Sequence, residues 1–263
     1  MRSVWKGHIR FSLVTIPIQV FNAVETKHEI SFNQLHKEDN GRVGYKKVCK
    51  TCNEKVSSKD IVKGFQYEPD QYVVFENDEL NAVKLKSTRA IEIEAFVDLA
   101  EVHPSRFEAV YYIGPNGDIA KKTFTLFSEV LRKSNKAGIG RIILRDREDV
   151  VLITAEKNGI VMYKLRYPRE LRKMEDVPDL EPVEIDDKQL ELANTLVDSL
   201  STTFDKVDFE DRYHKALMDL VQQKVDGKQI IVASDASEDD KPVVDIMEAL
   251  KASIEEAKKK KTA

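Results

Sequence analysis

The sequence predicts a mixed, β-rich fold in which short strands fill the first two-thirds of the chain and helices follow them. Apolar and polar residues alternate in several segments before residue 170, as expected of strands that bury one face. Turn-forming residues separate these segments, and many short strands joined by turns are typical of a barrel or a sandwich. Beyond residue 185 the apolar residues recur every three to four positions, which is the period of an amphipathic helix.

The strands are predicted from this alternation in chain order. The first covers residues 4–13 and places Ile9 and Leu13 on the same face. Another covers 90–97 and places Phe96 on the face opposite the isoleucines. The other strands of the first half are predicted at 18–24, 61–67, 71–76 and 109–113.

A helix and a meander complete the strand-rich part. The helix is predicted over 121–134, where phenylalanine and leucine fall at helical spacing. The meander is predicted at 139–145, 149–156 and 160–167, because Asn158-Gly159 is a strong signal for a tight hairpin turn.

The composition changes near residue 175, where prolines and acidic residues predict an extended connector. Two amphipathic helices are predicted behind it, at about 186–204 and 208–226. A polar linker at 233–241 precedes a short amphipathic helix that begins at Pro242. We therefore expect a β core over 1–175, a helical arm over 176–230, and a linker, docking helix and short lysine tail over 231–263.

Charge is strongly segregated along the chain, although the net charge is only −4. The net charge is +5 over residues 1–60 and +8 over 121–173, but −6 over 61–120 and −15 over 174–257. Such asymmetry points weakly to a polyanion on one face, and an ordinary solvated surface remains an equal alternative.

Several classes of protein are disfavoured. The sequence has no run of about 18 apolar residues and no apolar segment behind the first residues, so we expect neither a membrane span nor a signal peptide. Nucleotide-binding glycine loops and hydrolase motifs are absent from the sequence, so neither catalysis nor a cofactor is expected. Two rivals stay open: a nuclease, which would need convergent carboxylates for Mg²⁺, and a protein scaffold with an acidic partner.

Cys49 and Cys52 form the most suggestive local motif. A CxxC pair supplies half of a tetrahedral zinc site, but the sequence has no second pair. A homodimer could bring two such pairs together, whereas two reduced thiols at a hairpin tip are the simpler alternative. Two cysteines in a chain of 263 residues also favour a reducing, cytoplasmic location.

The basic residues are the best candidates for binding. Because Arg141, Arg145 and Arg147 share parity, we expect them along one face of a strand and its extension. Three arginines in line would repel one another unless phosphates lie beside them. Further candidate DNA contacts are Lys164 and Arg166 on the next strand, and Arg42, Lys46 and Lys47 beside the cysteines.

A series of ordered blocks spans about residues 1–257. The blocks begin with Trp5-Lys6-Gly7 and the strand that ends at Ile16-Pro17, followed by Ser31 to His36. The other blocks are Asp60–Phe65, Lys86–Ile93, Gly138–Arg141, Arg147-Glu148, Leu165–Pro168, Glu191–Ala193, Phe204-Asp205, Tyr213 and Lys224–Gly227. Together these blocks resemble bacterial Ku, a family of DNA-end-binding rings.

The resemblance implies a β-barrel core with an extended bridging arm and a C-terminal helical arm, paired as a homodimeric ring around duplex DNA. It implies sequence-independent binding of double-stranded ends in non-homologous end joining, and protection of those ends in a nucleoid-associated setting. It also implies recruitment and stimulation of a multifunctional ATP-dependent DNA ligase. The helix after Pro242 would be the docking element, through Val244, Met247, Leu250 and Ile254.

Overall fold

The computed structural model describes residues 1–25, 30–82, 89–144, 147–227, 249–251 and 253–255. The chain divides into two compact units, Met1–Asp176 and Val177–Ala263. None of the helices within the described part has the length and apolarity that a membrane span requires. Predictions for Arg145, Val244, Met247, the linker at 233–241 and the tail lysines at 258–261 lie outside the described residues.

The first unit is built around a closed barrel of seven strands, which confirms the predicted β-rich fold with a barrel core. The strands follow one another around the barrel in the order β1, β2, β6, β9, β8, β7, β5. Neighbours are antiparallel except β1 and β5, which are parallel and close the barrel. Their bounds are β1 Trp5–Phe11, β2 Val14–Asn22, β5 Ala90–Asp98, β6 Phe107–Pro115, β7 Lys136–Leu144, β8 Arg147–Glu156 and β9 Gly159–Leu165.

One helix completes the core of the barrel. α2 (Asp118–Ser134) buries Phe124, Phe127 and Leu131 in the same apolar cluster as the strand isoleucines. It begins three residues before the predicted start, because Gly117 takes a left-handed conformation (φ 86) and releases the chain from β6. The prediction of a helix in this place is otherwise confirmed. α2 therefore fixes the strands around a single buried cluster.

A long excursion leaves the barrel after β2 and returns at β5. Within it, β3 (Lys63–Glu68) and β4 (Gln71–Phe75) form a separate two-stranded sheet. The short helix α1 (Asn77–Ala82) follows them. Nearly all of these residues are exposed, so within the described chain the excursion projects from the barrel without a core of its own.

The start of the barrel differs from the prediction at Leu13. The predicted strand 4–13 is confirmed over Trp5–Phe11, but it ends two residues early in a tight turn, where Ser12 adopts a left-handed conformation (φ 49). Leu13 lies in that turn and is 99% exposed, whereas Ile9 is fully buried. The second strand therefore begins at Val14 and not at residue 18.

The predicted alternation in β5 is wrong beyond its first half. A bulge lies between Ile93 and Ala95 in the pairing with β7, so the two faces exchange after it. Phe96 consequently lies near Phe11 and Phe127, with ring centroids 6.1 and 6.4 Å away. A bulge depends on the partner strand, which the local sequence does not reveal.

The predicted meander is confirmed, with different ends. All three strands begin earlier than predicted, at Lys136, Arg147 and Gly159. The hairpin turn consists of Lys157 and Asn158, because Gly159 already pairs with Glu156. Lys157 adopts the left-handed conformation (φ 51) that the tight turn requires.

The second unit contains two amphipathic helices. α3 spans Asp187–Leu200 and α4 spans Arg212–Val225, both within the predicted ranges. The side chain of Asp186 caps α3 by accepting a hydrogen bond from the N–H of Lys188 at 2.7 Å. Neither helix buries a residue in the described chain, and their apolar stripes, which include Leu190, Val197, Leu200 and Tyr213, are exposed. Phe204 and Phe209 were predicted to continue these stripes, but they lie between the two helices and are exposed as well.

Candidate nucleic-acid interface

Arg141 is held by two carboxylates on the outside of the barrel. Its Nε lies 2.7 Å from Glu94 Oε1, and its Nη1 lies 2.8 Å from Glu148 Oε2. These hydrogen bonds, that to Glu148 first, raise the pKa of the guanidinium. Arg141 therefore joins β5, β7 and β8, and two negative charges already offset its positive charge.

Arg147 does not continue the strand that carries Arg141, so that part of the prediction is wrong. The chain turns back after Leu144, and Arg147 pairs with Leu144 as the first residue of β8. Its side chain is 63% exposed, and its nearest carboxylates, Asp149 and Glu170, are 3.9 and 3.8 Å away. Arg147 is thus loosely paired and free to meet a phosphate, whereas Arg145 lies outside the described residues.

Lys164 points toward two carboxylates. Its Nζ lies 3.2 Å from Asp149 Oδ1 and 3.2 Å from Glu108 Oε1. Desolvation lowers the pKa of Lys164, but the hydrogen bonds to Asp149 and Glu108 outweigh it, so the pKa is raised. Asp149 is only 5% exposed, so the ammonium neutralises a buried charge.

Arg166 comes directly after β9 and is half-buried. Its backbone N–H donates to the carbonyl of Arg106 at 2.8 Å, and its own carbonyl accepts from the Arg106 guanidinium at 3.5 Å. Two arginines thus lie together beyond the end of the strand. As a DNA contact, Arg166 stays a prediction.

The excursion carries the most open cations. Between residues 41 and 59 the chain has six lysines or arginines and one carboxylate. Arg42, Lys46 and Lys47 are exposed, and none of the three forms an ion pair with a described residue. Because phosphate binding needs accessible cations and no fixed spacing, this segment suits a polyanion.

The cysteine motif lies at the tip of a hairpin in this segment. Val48 pairs with Lys55, and the N–H of Cys49 donates to the carbonyl of Glu54 at 3.0 Å. Hydrogen bonds from the backbone amides of Cys52 and Thr51 lower the pKa of the Cys49 thiol to about 7. Both cysteines are free thiols, and within the described residues no group of three or more His, Cys, Asp or Glu is arranged to hold a metal ion.

Sequence reasoning missed a polar cavity at one end of the barrel. It has a volume of about 350 Å³ and is lined by both aromatic and charged residues, among them Trp5, Tyr111, Arg147, Asp149 and Lys164. In the sequence, the only sign of this cavity is the pair of carboxylates, Glu148 and Asp149, directly before the apolar run Val150–Ile153. Its charged residues are Asp149 and the two cations that pair with it, Arg147 and Lys164, so charges of both signs meet in this cavity.

The predicted docking helix is described only in part. Residues 249–251 and 253–255 are helical, Leu250 is half-buried and Ile254 is 8% exposed. The apolar side of this helix is therefore covered at Ile254. A partner that uses Ile254 has to displace whatever covers it.

Comparison of the sequence with a protein-family model and with known proteins agrees with this barrel architecture. The family model described as the Ku70/Ku80 beta-barrel domain matches residues 10–192. A "Non-homologous end joining protein Ku" from Bacillus subtilis is 37% identical over 261 residues, covering 98% of this chain and 83% of that protein. Proteins with the same name from Archaeoglobus fulgidus and Heliobacterium modesticaldum are each 37% identical over 259 residues, covering 98% of this chain and 100% and 93% of their own lengths.

The fold defines a β-barrel protein that carries a long projecting excursion between two strands of its barrel. The family model covers more than half of the chain, including every barrel strand in whole or in part. The chain belongs to the Ku family.

Proposed function

We propose that the chain binds the ends of double-stranded DNA as a homodimeric ring, without reading base sequence, in non-homologous end joining. The observation that carries this proposal is the family match over residues 10–192, together with relatives named for that pathway. In this role the protein is a non-catalytic, cytoplasmic, nucleoid-associated factor that protects DNA ends. It also recruits and stimulates a multifunctional ATP-dependent DNA ligase.

The contacts to phosphate come first from Arg42, Lys46, Lys47 and Arg147. All four side chains are exposed. Arg42, Lys46 and Lys47 form no ion pair with a described residue, and Arg147 is paired only loosely, 3.8 Å from Glu170 and 3.9 Å from Asp149. Arg141 and Lys164 contribute less, because each already neutralises two carboxylates. Arg145 and Arg166 complete the proposed set.

The dimer uses the apolar stripes of α3 and α4. Residues such as Val197, Leu200 and Tyr213 are exposed in the single chain, although each stripe is regular enough to need a partner surface. A second copy of the chain supplies that surface. The double variant Val197→Asp, Leu200→Asp should therefore shift the protein toward monomer in light scattering.

The ligase binds the helix that contains Val244, Met247, Leu250 and Ile254. A helix with one apolar stripe fits a groove on a partner protein. Because Ile254 is covered in the free chain, docking includes release of this side chain. The variant Leu250→Asp should weaken ligase pull-down and leave the affinity for DNA ends unchanged.

The topology of binding is tested with one duplex in linear and in covalently closed circular form, at equal length and salt. A threaded ring binds the linear form and stays trapped when that DNA is circularised afterwards. Equal affinity for both forms would mean ordinary groove binding to the backbone, and the end-joining role would be withdrawn.

The proposed contacts are tested by the salt dependence of binding. Each phosphate contact that is lost lowers the slope of log K against log salt by about 0.9, so Arg42→Ala, Lys46→Ala, Lys47→Ala should lower it by about 2.7. The control replaces three exposed lysines of the helices, Lys122, Lys133 and Lys188, by alanine. An unchanged slope in the first triple variant would exclude the hairpin from the DNA path.

A further inference from the structure

The cavity beside Asp149 lies at one mouth of the barrel. Six of the seven strands contribute to its lining, and the registers place Asn22 beside Tyr111 and Leu144 beside Arg147. The described residues that line it are Val4, Trp5, Asn22, Tyr111, Leu144, Arg147, Asp149 and Lys164. Its volume of about 350 Å³ lies within the range of small-molecule sites, and the mouth of a β-barrel is a common place for such a site.

Two charges of this mouth lie on the core side of their strands. Asp149 has the same parity on β8 as the buried Val151, and Lys164 has the same parity on β9 as the buried Met162. Alternate residues of a strand point to the same face, so both side chains point toward the barrel interior. Because a charged pair in such a place costs desolvation, packing alone does not explain it.

Asp149 has an acceptor left over. The residue is 5% exposed, and its Oδ1 is buried. The ammonium of Lys164 lies 3.2 Å away, but within the described chain Oδ1 accepts no hydrogen bond of good geometry. Buried carboxylate oxygens ordinarily accept such a bond. A ligand that enters the cavity with an N–H group would supply it.

The opposite wall is aromatic. Trp5 and Tyr111 are partly buried and pack against the apolar core. The indole of Trp5 occupies the space that a side chain at Gly7 would need, so its position is fixed. Rigid aromatic side chains of this kind are surfaces on which unpaired nucleobases stack.

Arg147 adds a cation to the lining of the cavity. Its side chain is 63% exposed, and the carboxylates of Asp149 and Glu170 are 3.9 and 3.8 Å away. A guanidinium that is paired this loosely is available to a phosphate group. The cavity thus offers a surface for a planar ring, an acceptor for an N–H group and a cation for an anion.

We propose that this mouth of the barrel binds one unpaired nucleotide. The base stacks on Trp5 and Tyr111, and its amino group donates to Asp149 Oδ1. The phosphate pairs with Arg147. Adenine, cytosine and guanine carry such an amino group, whereas thymine does not. A free nucleotide and the unpaired last nucleotide of a DNA strand have the same chemistry, and the second source rests on the proposed function.

Trp5 is the only tryptophan of the chain, so its fluorescence reports on this cavity. Titration of the full chain with dGMP should quench this fluorescence to saturation, with free tryptophan as the control for absorption by the nucleotide. Binding of dTMP should be about tenfold weaker, because it lacks a hydrogen bond to a charged group. Ribose 5-phosphate, which has no base, should not quench. Absence of saturable quenching by dGMP, or equal binding of dTMP, would overturn the proposal.

Variants test the stacking and the phosphate contact separately. Tyr111→Leu should bind dGMP at least about fivefold more weakly than Tyr111→Phe, which keeps the ring. Arg147→Gln should weaken dGMP about tenfold and leave deoxyguanosine, which has no phosphate, unchanged. The control is Lys122→Gln, an exposed cation on α2. Because Arg147 is exposed, its variant keeps the test valid even if Tyr111→Leu fails to fold, and an Arg147→Gln protein that binds dGMP like the wild type would contradict the phosphate contact.

Two linear duplexes separate the two sources of the nucleotide. One is blunt, and the other ends in a single unpaired guanine nucleotide. Quenching by the second duplex alone assigns the cavity to a DNA end, whereas equal quenching by both excludes that source. Quenching by dGMP and by neither duplex assigns it to a free nucleotide.

The comparison of linear with circular DNA on the same samples keeps this proposal apart from the proposed function. A protein that prefers linear DNA but shows no quenching by dGMP or by the unpaired guanine contradicts the nucleotide site alone. A protein that binds dGMP but binds circles as well as linear DNA contradicts the end-binding role alone.

Discussion

Replacing Lys164 by methionine should destabilise the barrel, because it leaves a buried carboxylate without its cation. Lys164 Nζ lies 3.2 Å from Asp149 Oδ1, and Asp149 is 5% exposed. Methionine keeps the length and apolar character of the stem, so the packing changes little. The perturbation is therefore almost purely electrostatic.

The size of the effect follows from the geometry. Removing one partner of a fully buried ion pair costs about 3–5 kcal/mol. Here the Lys164 side chain is 20% exposed, and Arg147 Nε, 3.9 Å from Asp149, takes over part of the compensation. We expect a loss of about 2–3 kcal/mol in the free energy of unfolding. For a unit of this size that corresponds to about 4–12 °C in melting temperature.

The assay is urea unfolding of the wild type, Lys164→Met, Asp149→Asn and the double variant. Because the double variant removes both charges, it should recover to within about 1 kcal/mol of the wild type. The exposed control Lys122→Met should change stability by less than about 0.5 kcal/mol.

One result would refute this reasoning: a Lys164→Met protein that unfolds at the wild-type urea concentration. Lys164 would then not compensate Asp149, and its position would have to be explained by a ligand. The salt dependence of DNA binding is an independent test of whether Lys164 also contacts a phosphate. Because Lys164 already neutralises two carboxylates, Lys164→Met should lower the slope of log K against log salt by much less than the value of about 0.9 expected for the loss of one full phosphate contact.

Three further predictions concern other parts of the first unit. Arg141→Met should cost less than about 1 kcal/mol in urea unfolding, because both of its ion pairs are exposed; a loss well above this would mean that they act as a buried network. Gly140→Ala should cost about 1–3 kcal/mol, since the added Cβ would overlap the carbonyl oxygen of Glu92, whereas Gly114→Ala meets only an ordinary contact at 3.7 Å and serves as the control. In metal-free protein, alkylation of Cys49 should rise with pH to a midpoint near pH 7, in line with its pKa of about 7; a midpoint at about 8.5 or higher would show an unperturbed thiol.

Much of the barrel could be predicted from local sequence because its strands bury one face. β1 alternates between buried and more exposed residues, and α2 carries its phenylalanines at helical spacing. The meander of β7, β8 and β9 was predictable from its apolar runs and from the turn signal between β8 and β9. These signals depend on residues within one element. Closure of the barrel by β1 and β5 could not be predicted from local sequence, because it joins residues about 80 positions apart.

The predicted side-chain alternation of β5 and the predicted surroundings of Arg141 were wrong, because both depend on a neighbouring strand. The bulge between Ile93 and Ala95 follows from the pairing of β5 with β7, where Gly140 lies so close to Glu92 that a side chain would not fit. For the same reason, strand parity alone could not show that Arg141 is held by Glu94, which lies 47 residues earlier. The candidate cations of the hairpin were easier to predict, because a charged side chain that stays exposed does not depend on a residue elsewhere in the chain.

The seam between β1 and β5 has a mechanical consequence. Among the described residues, the register joins His8 to Ala90, Ile9 to Ile91 and Arg10 to Glu92, and the side chains of Arg10 and Glu92 form an ion pair of 2.6 Å. β5 is also the strand at which the chain returns from the excursion, so a pull on the excursion is applied lengthwise to β5 and shears it along β1. Parallel pairs are slightly weaker per residue than antiparallel ones. Tension in the excursion therefore acts on the pairing between β1 and β5. If that pairing broke, the barrel would open into a seven-stranded sheet.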